Sequence, residues 1–197
     1  MADGRRSALC VWVEAVLREQ LQRGERKRVS GSKAAPQKSN LTATRSIYWR
    51  QSFDERMRGH EQIQRAVRQG AVVAGWGDQG GEERPLEWVR VRDVDVLADL
   101  LGVSTNVDQL QSAKDGLASW LARYPRLSEI MTVWGAMRRV RALGADSWHS
   151  WRDALHVLDA LAANPDEDQV IRVLSGRLFS DTKRIEQLLP QLDVLSG

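Results

Sequence analysis

The chain has 197 residues, 42% hydrophobic and 28% charged, with a formal net charge of +3; this suits one ordinary domain or two small ones and excludes global disorder. Its single cysteine, Cys10, excludes an internal disulfide and a thiolate metal cluster, and three scattered histidines, His60, His149 and His156, do not make a zinc site. No apolar run reaches the ~18 residues of a membrane span and no signal-peptide core opens the chain, so a soluble, cytoplasmic protein is expected.

Leu9, Val13, Val16, Leu17 and Leu21 recur at helical spacing and predict a helix over 7–23, with Ser7 as N-cap and Gly24 as its stop. The following "ERKRVSGSKAAPQKSN" (25–40) reads as a basic loop with a short strand near 28–30. "LTATRSIYWRQ" (41–51) is ambiguous between an extended piece and a short helix. Tyr48 and Trp49 are expected to pack on the first helix in preference to stacking on bases.

Ser52 and Glu55 form a capping box that opens a helix to residue 69, ended by Gly70. "AVVAGW" (71–76) and "LEWVRVR" (86–92) read as the strands of a hairpin. Its tip holds "GDQGG" (77–81), which matches neither GxGxxG nor a phosphate loop. "DVDVLADLLG" (93–102) is a capped helix closing on a glycine. Helix, basic segment, helix, hairpin and helix is the order of a winged-helix domain, whose penultimate element enters or skirts the major groove and whose hairpin wing touches the backbone or minor groove. Further helices are predicted over 107–125, 127–144 and 147–165, with short antiparallel connections. Most of the eight Trp fall in apolar runs, as core or interface anchors do.

The expected fold is therefore mainly α with α+β character. A winged-helix-like basic module over 1–106 carries a β-hairpin, a small helical module follows over 107–165, and 166–197 is a connector.

The net charge conceals an asymmetry. Residues 1–70 carry 15 Lys and Arg against 7 Asp and Glu, a net of +8; residues 71–197 carry 14 against 19, a net of −5. Basic charge concentrated in one third of a chain is the footprint of polyanion binding, with a solvated arm as the alternative. Clustered Lys and Arg neutralise phosphates without reading bases. Arg26, Lys27, Arg28, Lys33, Lys38, Arg45 and Arg50 are the candidate contacts, with Arg56, Arg65 and Arg68 on the next helix as a second set.

No catalytic constellation emerges, so this chain is not expected to be an enzyme or to hold a cofactor or metal. Asp93 and Asp95 make a DxD, but hard cations need further convergent carboxylates, Glu82 and Glu83 lie on the hairpin tip, and an acid beside a helix start is a cap. Asp166, Glu167 and Asp168 read as a solvated acidic turn. Ser180, Asp181, Thr182 and Lys183 point their side chains apart, which suits a helix N-terminus with Ser180 or Asp181 as cap and a helix to Leu189.

The ordered blocks "AVVAGW…LEWVRVRDVDVLADLLG", "ARYPRLSEIMTVW", "WRDALHVLDALAANP" and "LFSDTKRIEQLLPQLDVL" resemble the N-terminal arm region of JetD-type proteins. These are the nuclease subunits of Wadjet plasmid-defence systems, also called MksG or EptD. The resemblance implies an arm that contacts double-stranded plasmid DNA and is followed by a Toprim domain, absent from this chain, that cuts DNA with divalent metal. It makes "SDTKRIE" a hinge helix before that domain. It also implies a homodimer working at the nucleoid with an SMC-type, condensin-like complex. Two other readings stand beside it: a free-standing winged-helix transcription regulator, and a protein-interaction module docking through its Trp stripe.

Overall fold

Helix α1 spans Val11–Ser30 and buries Trp12, Val13, Val16, Leu17 and Leu21 along one side. In the computed structural model, which describes residues 8–78, 84–163 and 170–197, this helix does not stop at Gly24. A Cβ at Gly24 would lie 2.7 Å from Cγ2 of Val94 and 3.1 Å from Cγ1 of Val91. The glycine is there so that neighbouring chain can approach, and not as a terminator. The helix therefore takes in Arg26, Lys27 and Arg28, where loop and strand were expected, and ends at Gly31 with φ +63°.

The expected N-cap Ser7, residues 79–81 of the "GDQGG" tip with Glu82 and Glu83, and Asp166-Glu167-Asp168 lie outside the described residues.

Strand β1 is only Ser39–Asn40, and 43–51 is a run of turns and bends, neither helix nor strand. Helix α2, Phe53–Arg68, opens with the capping box: Ser52 Oγ accepts from Glu55 N, and the Glu55 carboxylate accepts from Ser52 N. Strands β2 (Val72–Trp76) and β3 (Leu86–Val91) form the antiparallel hairpin, with an irregularity at Gly75/Trp76. β1 pairs with the other edge of β3, giving sheet order β1-β3-β2. Helix α3, Val94–Leu101, is capped by Asp93, whose carboxylate accepts from the N–H groups of Asp95 and Val96, and it ends on Gly102 at φ +66°.

Two buried polar groups organise this first unit, residues 1–105. Gln20 of α1 accepts from Val91 N (2.9 Å) and donates to Ser39 Oγ (2.7 Å). Tyr48, 1% exposed, meets Trp12 edge-on. Its hydroxyl accepts from Leu86 N (3.3 Å), which leaves its own hydrogen to donate to Nε2 of a neutral His60 (2.9 Å). His60 lies parallel to Tyr48 and edge-on to Trp76. Burial, then the nearby Arg56 charge, holds its pKa below the usual histidine value.

The second unit spans 106–197. Helix α4, Asn106–Leu117, runs into a 3-10 turn at Ala118–Trp120. Helix α5, Arg126–Gly135, is shorter than the expected 127–144. The fully buried Trp134 packs edge-on to Trp151, and its indole N–H requires an acceptor. The chain folds back to supply one, the Leu143 carbonyl at 3.1 Å, through left-handed Met137, Arg141 and Ala142 and a bridge between Val140 and Leu143. Helix α6 is Trp148–Ala163.

Residues 170–197, expected as a connector, are built into this unit as α7 (Ile171–Phe179) and α8 (Arg184–Ser196), with Leu174, Ile185, Leu188 and Leu195 in the same core. α8 runs through Pro190, past the expected end at Leu189, because Gln191 and Leu195 beyond it are buried. The cap of α8 also differs from the expected one. Ser180 closes α7 at φ +55°, Asp181 accepts from Lys183 N, and the buried Ser175 hydroxyl accepts from Ile185 N. Among the described residues, no helix is long and apolar enough to cross a membrane.

Two outcomes are expected. Gly24→Ala, favourable by helix propensity, is expected to lower stability by about 1–3 kcal/mol through overpacking against Val91 and Val94, read by urea unfolding. The unfolded chain protonates His60 near the usual value while the native chain resists, so stability is full above about pH 6.5 and falls as pH drops through the lower native pKa. Urea midpoints between pH 7.5 and 5.5 are expected to show this slope and His60→Gln to lack its share; an unchanged slope in the variant refutes the assignment.

Candidate nucleic-acid interface

All ten candidate cations fall in the first unit, but the fold distributes them over several places. Arg26 and Lys27 sit on the last turns of α1. With Arg23, Gln22, Ser30 and Ser32 they line a groove of about 630 Å³, closed on its far side by Ala34, Ala35, Pro36 and Gln37 of the returning chain. Arg23 is held there by Glu19 (2.6 Å) and the Gln37 carbonyl (3.1 Å). The side chains of Arg26 and Lys27 have no hydrogen-bond or ion-pair partner among the described residues, so their charge faces solvent. Lys33 is exposed on the segment after Gly31.

Arg28 is different. Its guanidinium makes a two-pronged contact with Asp95, 2.9 Å on each arm. The hydrogen bond from Arg28 holds the Asp95 carboxyl below its usual range, and the same contact raises the guanidinium's pKa. This candidate phosphate contact is thus paired within the fold, its charge offset by Asp95. It also answers the DxD question: Asp93 caps α3 and Asp95 is paired, so neither carboxylate is free to converge on a cation. Among the described residues no group of three or more His, Cys, Asp or Glu could hold a metal ion. His149 and His156 lie against the rings of Trp148 and Trp120 respectively.

Lys38 joins a second cluster that the sequence reading did not assemble. The Trp88 indole lies on the bare backbone of Gly75, where an added Cβ would sit 2.1 Å from its Nε1. Lys38 Nζ stands 4.4 Å from the ring centroid and the Arg90 guanidinium 5.8 Å from it, within cation–π range. Trp88 and Arg90 alternate along β3, so a period-2 reading of "LEWVRV" places them on one face.

A third group surrounds the start of α2. Arg45 and Arg50 are exposed on the turns of 43–51. Arg56 donates to the Gln51 carbonyl (3.0 Å) and lies 5.4 Å from the Trp49 ring and 5.8 Å from that of Tyr48. Tyr48 packs against the first helix as expected; its neighbour Trp49 does not, and remains 40% exposed.

Arg65 and Arg68 line a separate groove with Arg58, which the sequence reading passed over. Glu14, Glu61 and Asp99 share that groove with Leu9, Leu100 and Leu101. Its charge is mixed, so these two arginines add little to a continuous positive surface.

No curated protein matches the chain, and no solved structure does. Residues 12–195 match the family described as "Uncharacterized protein conserved in bacteria N-term (DUF3322)", and the chain belongs to that family.

Proposed function

We propose that the first unit is a winged-helix-like DNA-binding module that grips duplex DNA through phosphates. In this reading the chain is the positioning arm of a plasmid-defence nuclease of the JetD type, acting with an SMC-type complex. The observation that carries the proposal is the free cationic end of α1, where Arg26 and Lys27 border a groove in the chain's basic third. The winged-helix part is supported by the element order α1, β1, α2, β2, β3 with the sheet order β1-β3-β2, which sets α2 beside a hairpin wing. The defence role rests on the sequence resemblance, with which the family's description as an N-terminal part agrees. Cutting, and the divalent metal it needs, belongs in this reading to a Toprim domain elsewhere in the protein.

Docking through the Trp stripe is ruled out for Trp120, Trp134 and Trp151, which are buried in the core, but a protein-docking role for the second unit has one other observation in its favour. Val170, Ile171 and Val173 at the start of α7 are 65%, 50% and 68% exposed, and exposed apolar side chains grouped together are a feature of interaction sites.

Fluorescence anisotropy with a 30-base-pair duplex tests the DNA reading. Each neutralised phosphate contributes a slope of about −0.9 in log affinity against log salt, so several contacts weaken binding at least tenfold between 50 and 200 mM salt. Arg26→Glu with Lys27→Glu is expected to weaken binding to every sequence alike and to flatten that slope; Arg28→Ala is expected to leave the slope intact. Binding that ignores salt, or is absent, refutes the phosphate-grip reading. A preference of about 4 kcal/mol or more for one operator favours a transcription regulator instead.

A further inference from the structure

The turn-rich segment before α2 presents an arrangement that phosphate contacts alone do not use. Four large side chains fall within seven residues, and the fold sorts them. Tyr48 is drawn inward and fixed by Leu86 N and His60. Ile47, Trp49 and Phe53 are turned outward, 37%, 40% and 46% exposed.

The segment is tied to itself. Gln51 N donates to the Tyr48 carbonyl (3.2 Å), and Gln51 Nε2 donates to the Ile47 carbonyl (2.9 Å). The Trp49 ring stands edge-on to the buried Tyr48, centroids 5.0 Å apart. Arg56, held by the Gln51 carbonyl, lies near its ring. An exposed indole fixed in this way loses little conformational freedom when it meets a flat partner, so most of the contact energy remains available.

The charge around it is one-sided. Arg45 and Arg50 are exposed within the same stretch, and Arg56 adjoins the ring. Of the two acids nearby, Glu55 has its carboxylate engaged by Ser52 N and Oγ in the capping box, which leaves Asp54. A flat apolar surface among guanidinium groups is the recognition chemistry of a nucleobase beside its phosphates. Apolar side chains that enter a base step hold the duplex kinked in the same way.

We propose that residues 45–56 form a base-stacking site. Trp49 and Phe53 stack on bases displaced at a kink, mismatch or single-stranded stretch, while Arg45 and Arg50 hold the flanking phosphates. The site rests on the DNA-binding reading and adds to it a preference for deformed over intact duplex.

The test compares three fluorescent probes by anisotropy at one salt concentration: an intact 30-base-pair duplex, the same duplex with a central four-nucleotide mismatch bubble, and one of its strands alone. The bubble is expected to bind about tenfold more tightly than the intact duplex, within the range of one or two stacked bases. Trp49→Ala and Phe53→Ala are each expected to erase most of that difference while leaving intact-duplex affinity and its salt slope unchanged. Trp49→Phe, which keeps a ring, is expected to retain part of it. Thermal melts that match wild type establish that the variants are folded.

Duplex binding with a normal salt slope but no preference for the bubble overturns the stacking site and leaves the DNA reading standing. An equal loss on all three probes in Trp49→Ala overturns it as well, as does a preference that survives both alanine variants. Wild-type protein that binds none of the probes overturns the two readings together. Binding to vesicles of anionic phospholipid that Trp49→Ala abolishes, with DNA binding untouched, assigns the aromatic surface to a membrane and overturns the proposal.

Discussion

A single buried amide, that of Gln20, closes the first unit. β1 has only two residues, so it cannot pair the whole outer edge of β3, and the Val91 N–H would be left unsatisfied beneath α1. Gln20 Oε1 takes that N–H, while Nε2 donates to Ser39 Oγ and to the Gln37 carbonyl. Ser39 passes the interaction on by donating to Glu19. One side chain thus finishes the sheet, sets where the returning segment crosses α1, and so shapes the groove beside Arg26 and Lys27. Each such bond contributes about 1 kcal/mol net, whereas an orphaned buried group costs about 1–3 kcal/mol. The geometry is maintained more by that penalty than by the attraction.

The second unit meets the same demand with tryptophan. Burying an indole removes much apolar surface from water but takes a donor along with it. Trp120 is answered by Asp159, which also accepts from Arg123 and Tyr124. Trp134 is answered by the Leu143 carbonyl, and the backbone adopts three left-handed non-glycine residues around that return. Trp-rich helices here are therefore not interchangeable apolar rods; Trp120 and Trp134 each dictate where a carboxylate or carbonyl must sit, whereas the buried Trp151 N–H finds no acceptor among the described residues.

What could be read from sequence followed the range of the signal. The capping box of α2, the Asp93 cap and glycine end of α3, and the alternating strands of the hairpin are written within a few residues, and all three were readable. Gly24 was misread because its reason lies in Val91 and Val94, some seventy positions on. α5 was overextended because its apolar period continues while the acceptor needed by Trp134 does not lie on a helix. Among the candidate cations, clustering in sequence put all ten in the first unit. It did not reveal that Arg28 is committed to Asp95, nor that Arg90 gathers with Lys38 on Trp88, since both depend on how the chain folds back across β3.

The contact between Arg28 and Asp95 joins residues 67 apart in the chain, so the sheet and α2 lie inside a ring that it completes. It fastens the end of α1, where Arg26, Arg28, Val29 and Ser30 are exposed and little apolar burial holds the last turn in place. Because both partners are solvated, the latch contributes at most about 1 kcal/mol and weakens as salt rises. The tip of α1 consequently loses part of its fastening in brine, while the backbone pairing of the sheet beneath it does not rest on that charge pair.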